Sequence, residues 1–141
     1  MVEPNSNLAE AYIKKAEEAL ESMRINVVKD WKISTAYYTL YFSLYSILTR
    51  IGIKCEIHSC TIAFARRFLG EFFSEDDVNF TEDSLTARID SQYYIDRTVA
   101  DEQYNKMIKD TPEFLVKCKS ILIKLNEKKI NEIRKEFQKA V

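Results

Sequence analysis

The chain has 141 residues, 46% apolar and 30% charged, with a formal net charge of −1. That length supports one domain with its own core, and the composition is ordinary for a globular protein. A near-zero charge excludes any global attraction to nucleic acid or anionic membrane, so only a local patch remains for either. Two glycines and two prolines in the whole chain argue for long helices joined by few turns. The N-terminus, Met1-Val2-Glu3-Pro4, has neither the basic nor the apolar stretch of a secretory signal. Three cysteines, Cys55, Cys60 and Cys118, form no framework spacing and are expected as free thiols in a cytoplasmic protein.

Asn7 followed by Glu10 reads as a capping box that opens a first helix. Its core face is Leu8, Tyr12, Ala16, Leu20 (or Ala19), Met23 and Val27, and it should fade near Asn26. Asp30 then caps a second helix that runs to about Ile51 and stops at Gly52. Between Ile33 and Thr49 this helix carries no charge, yet it is shorter than the roughly 20 residues of a membrane span. It holds Tyr37, Tyr38, Tyr41 and Tyr45, half of the eight tyrosines in the chain. Positions 37, 41, 44 and 48 make one apolar stripe, and 38, 42 and 45 make the neighbouring one. Such a helix must be surrounded by others. Thr35, Thr39, Ser43 and Ser46 form a small polar stripe that reads either as solvated surface or as a close helix–helix contact, including a dimer interface.

A third helix is expected over Ser59 to Phe73, with Gly70 interrupting its end, followed by an acidic loop from Ser74 to Asp83. The fourth helix carries Leu85, Ile89 and Tyr93 and ends near Arg97 or Val99. The fifth begins around Asp101, and Pro112 should kink or break it at 110–112. Beyond Asn126 the apolar period continues at Ile130, Ile133 and Phe137, on a basic amphipathic extension covering 126–141. The domain expected is a single one, 1–141.

Ala36-Tyr37-Tyr38 on a helix, then Gly52, His58-Ser59, the helix Ile62-Ala63-Phe64-Ala65-Arg66-Arg67-Phe68, and Arg88 five residues before Tyr93 together resemble the HEPN superfamily. The nearest branch in character is that of small stand-alone prokaryotic members, and the resemblance covers roughly residues 8 to 125. It implies an all-α, up-and-down bundle of four to five helices, commonly a homodimer. It also implies a minimal nucleotidyltransferase as a partner, or a nucleotide or RNA ligand. Catalytic members are metal-independent endoribonucleases, some of them toxins of toxin–antitoxin pairs. Their signature is an arginine, four to six residues, then a histidine.

Here the histidine position after Arg88 holds Tyr93, and the only histidine, His58, follows Arg50 at the wrong spacing. A tyrosine is a poor base at neutral pH, so catalysis would need a composite of Arg88, Tyr93 and His58. The leading expectation is therefore a non-catalytic binding module, with the ribonuclease and a purely structural adaptor as alternatives. Arg50, Arg66, Arg67, Tyr37 and Tyr41 are the candidate anion- or ligand-binding residues. Cys55, His58 and Cys60 lack the four-ligand, paired spacing of structural zinc. No glycine-rich phosphate loop is present, and no metal, cofactor or membrane is expected.

Overall fold

In the computed structural model, which describes residues 1–141, the first helix opens at Asn5 rather than Asn7. The Asn5 side chain accepts the Leu8 N–H at 2.8 Å, and α1 runs Ser6–Ile25. The core face holds at Ala16, Leu20 and Met23 and differs at the ends. Ala9, Ala16, Leu20 and Met23 are buried, while Leu8 and Val27 lie in solvent and Tyr12 is half-buried. α2, Lys29–Ile51, ends as expected at Gly52, whose φ of 92° is left-handed. Asp30 sits inside its first turn and is not the cap.

The Asn5 N–H reaches the Thr49 carbonyl at 3.1 Å, and the Tyr12 ring meets those of Phe42 and Tyr45 at 6.0 and 5.0 Å, so α1 and α2 pack antiparallel. Thr39, Ser43 and Ser46 are fully buried within the one chain. Each hydroxyl bonds back to a carbonyl about one turn earlier: Thr39 to Thr35 (2.9 Å), Ser43 to Thr39 (2.6 Å) and Ser46 to Ser43 (2.6 Å). Most of the stripe is thus buried inside the chain and is not solvated surface. Those three side chains offer no surface to a second copy; Thr35 alone stays partly exposed.

The remaining helices are α3 (His58–Phe68), α4 (Glu75–Tyr93), α5 (Asp101–Lys124) and α6 (Glu127–Ala140). The expected loop from Ser74 to Asp83 is instead the start of α4. Ser74 and Asp77 form a reciprocal capping box, and Glu75, Asp76 and Asp77 lie where the helix dipole favours negative charge. Val78, Phe80 and Thr81 are buried behind them. α3 accordingly stops at Phe68, short of Phe73. α5 stays helical through Pro112, so no break occurs there. Met107, Thr111, Phe114, Leu115, Cys118 and Ile121 are buried on both sides of the proline and offset its lost hydrogen bond.

The break comes instead at Leu125–Asn126, where the Asn126 side chain caps α6. Ile130 and Ile133 of α6 are buried, and Phe137 meets Phe64 and Phe68 at 5.6 and 5.4 Å. One cluster of buried apolar side chains runs from Ala16 to Ile133 with α2 through its middle. The molecule is an all-α bundle, and no helix is long and apolar enough to cross a membrane.

Candidate functional site

The site is built on the side of α2 that faces α3 and α4. Tyr37 is fully buried, while Tyr38, Tyr41, Phe42 and Tyr45 are half-buried, because a helix in the middle of the bundle still shows one edge to solvent. His58 is the first residue of α3, set there by the short connection after Gly52. Its ring stacks on Tyr41 at 4.1 Å and meets Tyr38 edge-on at 6.3 Å. Its Nδ1 lies 2.8 Å from the Tyr37 hydroxyl.

From α4, Arg88 comes down on the same aromatics. Its Nη2 donates to the Tyr38 hydroxyl at 2.8 Å, and its guanidinium carbon is 5.7 Å from the Tyr37 ring and 4.9 Å from that of Tyr38. Tyr37 therefore bridges the two, its hydroxyl on His58 and its ring beneath Arg88. No carboxylate pairs with Arg88, although Arg66, on α3, has two and Arg97, beyond α4, has one. The Arg88 Nε is buried without a hydrogen-bond partner.

The protonation states follow from this setting. Burial, with some help from neighbouring Tyr41, pushes the Tyr37 phenol well above its usual range, so its proton stays on. A buried O–H must donate, and the acceptor within reach is His58 Nδ1. The neutral imidazole then carries its proton on Nε2 and offers a donor there. Burial, then the Arg88 charge, lower the His58 pKa from 6.5, so this neutral form is the one present at pH 7.

Of the residues singled out from sequence, Arg88, His58, Tyr37 and Tyr41 come together. Tyr93 only edges the site: its exposed ring is 5.9 Å from Arg88 and makes no contact with His58. The other three arginines stay apart. Arg66 is held by Glu75 (2.6 Å) and Glu82 (3.3 Å), Arg50 points to the Leu125 carbonyl (3.5 Å), and exposed Arg67 lies over Phe68 (5.3 Å). Arg50 also lies thirteen residues along α2 from Tyr37, about 20 Å of helix. The anion patch assembled from those arginines does not form. Sequence reasoning passed over Tyr38 as a site residue, although its place beside Tyr37 on the second stripe was the available signal.

A family model described as HEPN domain matches residues 8–122. This chain belongs to the HEPN family. A search of the curated proteins found no match.

Proposed function

We propose that this HEPN domain is a non-catalytic binding module that takes a nucleotide or a single strand of RNA on the Arg88–His58–tyrosine face. It would act as a homodimer, with a minimal nucleotidyltransferase as its protein partner. The observation that carries this reading is Arg88 itself, a half-buried guanidinium that no carboxylate neutralises, set over exposed aromatic edges. A phosphate supplies the missing counter-charge, and a base supplies a ring to stack on Tyr38, Tyr41 or Phe42. Such stacking is worth about 1–3 kcal/mol per base. The Nε2–H of His58 adds a neutral donor for a phosphate or base oxygen.

The test is fluorescence-anisotropy titration of a short single-stranded RNA over a range of salt concentrations. Arg88→Ala should weaken binding and reduce the salt slope by about 0.7, the share of one phosphate contact. Equal binding and an equal slope would remove RNA from this face and favour the structural adaptor. Sedimentation equilibrium of the free protein checks the homodimer.

One observation favours a second reading, metal-independent endoribonuclease: a histidine neutral at pH 7 lies on the same tyrosine as an unneutralised arginine. The Nε2–H tautomer argues against it, because the solvent-facing nitrogen is then a donor and not a base. RNA cleavage in EDTA, lost in both His58→Ala and Arg88→Ala, would overturn the non-catalytic assignment.

A further inference from the structure

Cys55 and Cys60 bracket His58, one in the connection before α3 and the other in its first turn. Their sulfurs are 2.8 Å apart, about 0.8 Å beyond the roughly 2.05 Å of a disulfide bond. Cys55 is buried and Cys60 is exposed, while the third cysteine, Cys118, is fully buried in α5. Nothing in the aromatic face accounts for this pairing. We propose that Cys55 and Cys60 are a reversible redox site, oxidised by a low-molecular-weight disulfide such as oxidised glutathione to a bond that fastens the segment carrying His58. The bond stands independently of any ligand; its role in regulating the aromatic face rests on the binding reading above.

The chemistry is two successive thiol–disulfide exchanges. The exposed Cys60 loses its proton and attacks one sulfur of the small disulfide, expelling one thiolate, which takes up a proton. Cys55 then gives up its proton and attacks the Cys60 sulfur of the mixed disulfide, displacing the second thiolate, which is protonated in turn. Two protein thiols are oxidised to one disulfide, and the small disulfide is reduced to two thiols. The order is set by access, since a bulky reagent reaches Cys60 and not Cys55. Burial, then the neighbouring Cys60 thiol, push the Cys55 thiol up to about 12, which makes the second exchange the slow one and faster at alkaline pH. The sulfurs must close by only about 0.8 Å, a small displacement of the turn that carries His58, and the bond then holds residues 55–60 together. In a reducing compartment such a bond is transient, as suits a sensor.

The experiment treats the full chain with oxidised glutathione, quenches by alkylation and reads the intact mass. Wild type should lose two hydrogens without retaining glutathione, and dithiothreitol should restore the original mass. Cys55→Ser should stop at a stable glutathione adduct on Cys60, Cys60→Ser should not react, and Cys118→Ser should behave as wild type. Wild type that stops at the adduct even at alkaline pH, or does not react at all, overturns the pair. The ring resonances of His58 should shift on oxidation in wild type and stay fixed in Cys60→Ser. Resonances that do not move while the bond forms overturn the link to His58, whether or not the protein binds RNA.

Discussion

At the scale of single residues, the state of His58 decides what the face can do, and the chain reports it cleanly because it has one histidine. Its ring protons should titrate below 6.5 by NMR, since burial and then Arg88 disfavour the charged form. Tyr37→Phe keeps the ring but removes the O–H that favours the neutral imidazole, so the His58 pKa should rise. The same change should destabilise the fold by about 1 kcal/mol, the worth of one hydrogen bond. A pKa that falls would mean that Nδ1 is the donor, and the base reading would return. The depressed value also ties stability to pH. The unfolded histidine takes its proton near pH 6.5, before the folded one does, so the contribution is full above that pH. It declines as pH falls from 6.5 toward the lower folded value. Urea denaturation midpoints across pH 5–8 should show this slope in wild type and lose it in His58→Gln. The tyrosine cluster and the lone histidine were visible in the sequence, and so was Arg88. A composite of Arg88 and His58 from different helices was also open to sequence reasoning. What pattern could not supply was Tyr37 as the bridge between them, Tyr38 as the partner of Arg88, and Tyr93 left at the edge, because these depend on how α2, α3 and α4 pack.

At the scale of elements, the helices with a clean apolar period were legible and the errors lay at their ends. α2 was framed correctly at Gly52 because only glycine accepts that φ without strain, and a Cβ there would meet the Arg134 guanidinium and the backbone of Val2 and Pro4. The start of α4 was missed because its acidic first turn has the composition of a loop, although Ser74-x-x-Asp77 is a capping signal. Ser74→Ala should therefore cost about 1 kcal/mol in urea denaturation. An acid dependence belongs to Asp77 in the same turn. Burial raises its carboxyl pKa, but the Lys117 hydrogen bond and the Ser74 N–H more than offset this, so the net value lies below 3.8. Its stabilisation is present above that pH and is lost as pH falls below it. Pro112 was read as a breaker from local preference alone, and the buried face of α5 overrode it. Pro112→Ala restores a backbone donor worth about 3 kcal/mol in a helix interior, less about 1 kcal/mol for the freer unfolded chain. A gain near 2 kcal/mol in the denaturation free energy is expected, and a loss would show that the proline sets a helix direction the core requires.

Over the whole molecule, the family match ends at residue 122, whereas the core does not. α6 returns over the end of the bundle where α2 stops, seating Ile130 and Ile133 in the common cluster and Phe137 against Phe64 and Phe68. Arg134 fixes it there by donating to the carbonyls of Val2 (2.8 Å) and Ile51 (3.0 Å), so one side chain joins the N-terminal segment, the end of α2 and α6. The amphipathic pattern of this segment was legible from sequence, but its use was not: the same pattern serves a packed helix or one that docks a partner, and only tertiary contacts separate the two. Three apolar side chains at about 1.5–3 kcal/mol each amount to roughly 5 kcal/mol or more, comparable with the lower end of a domain's whole stability of about 5–15 kcal/mol. A chain ending at Leu125 should therefore be marginal in urea and bind a hydrophobic dye at the uncovered phenylalanines. Arg134→Met, which keeps the length of the side chain and removes its donors, should lower the denaturation midpoint less and leave the His58 titration unchanged. If the truncated chain is as stable as the full one, the anchoring of α6 contributes nothing, and its apolar face is free for a partner.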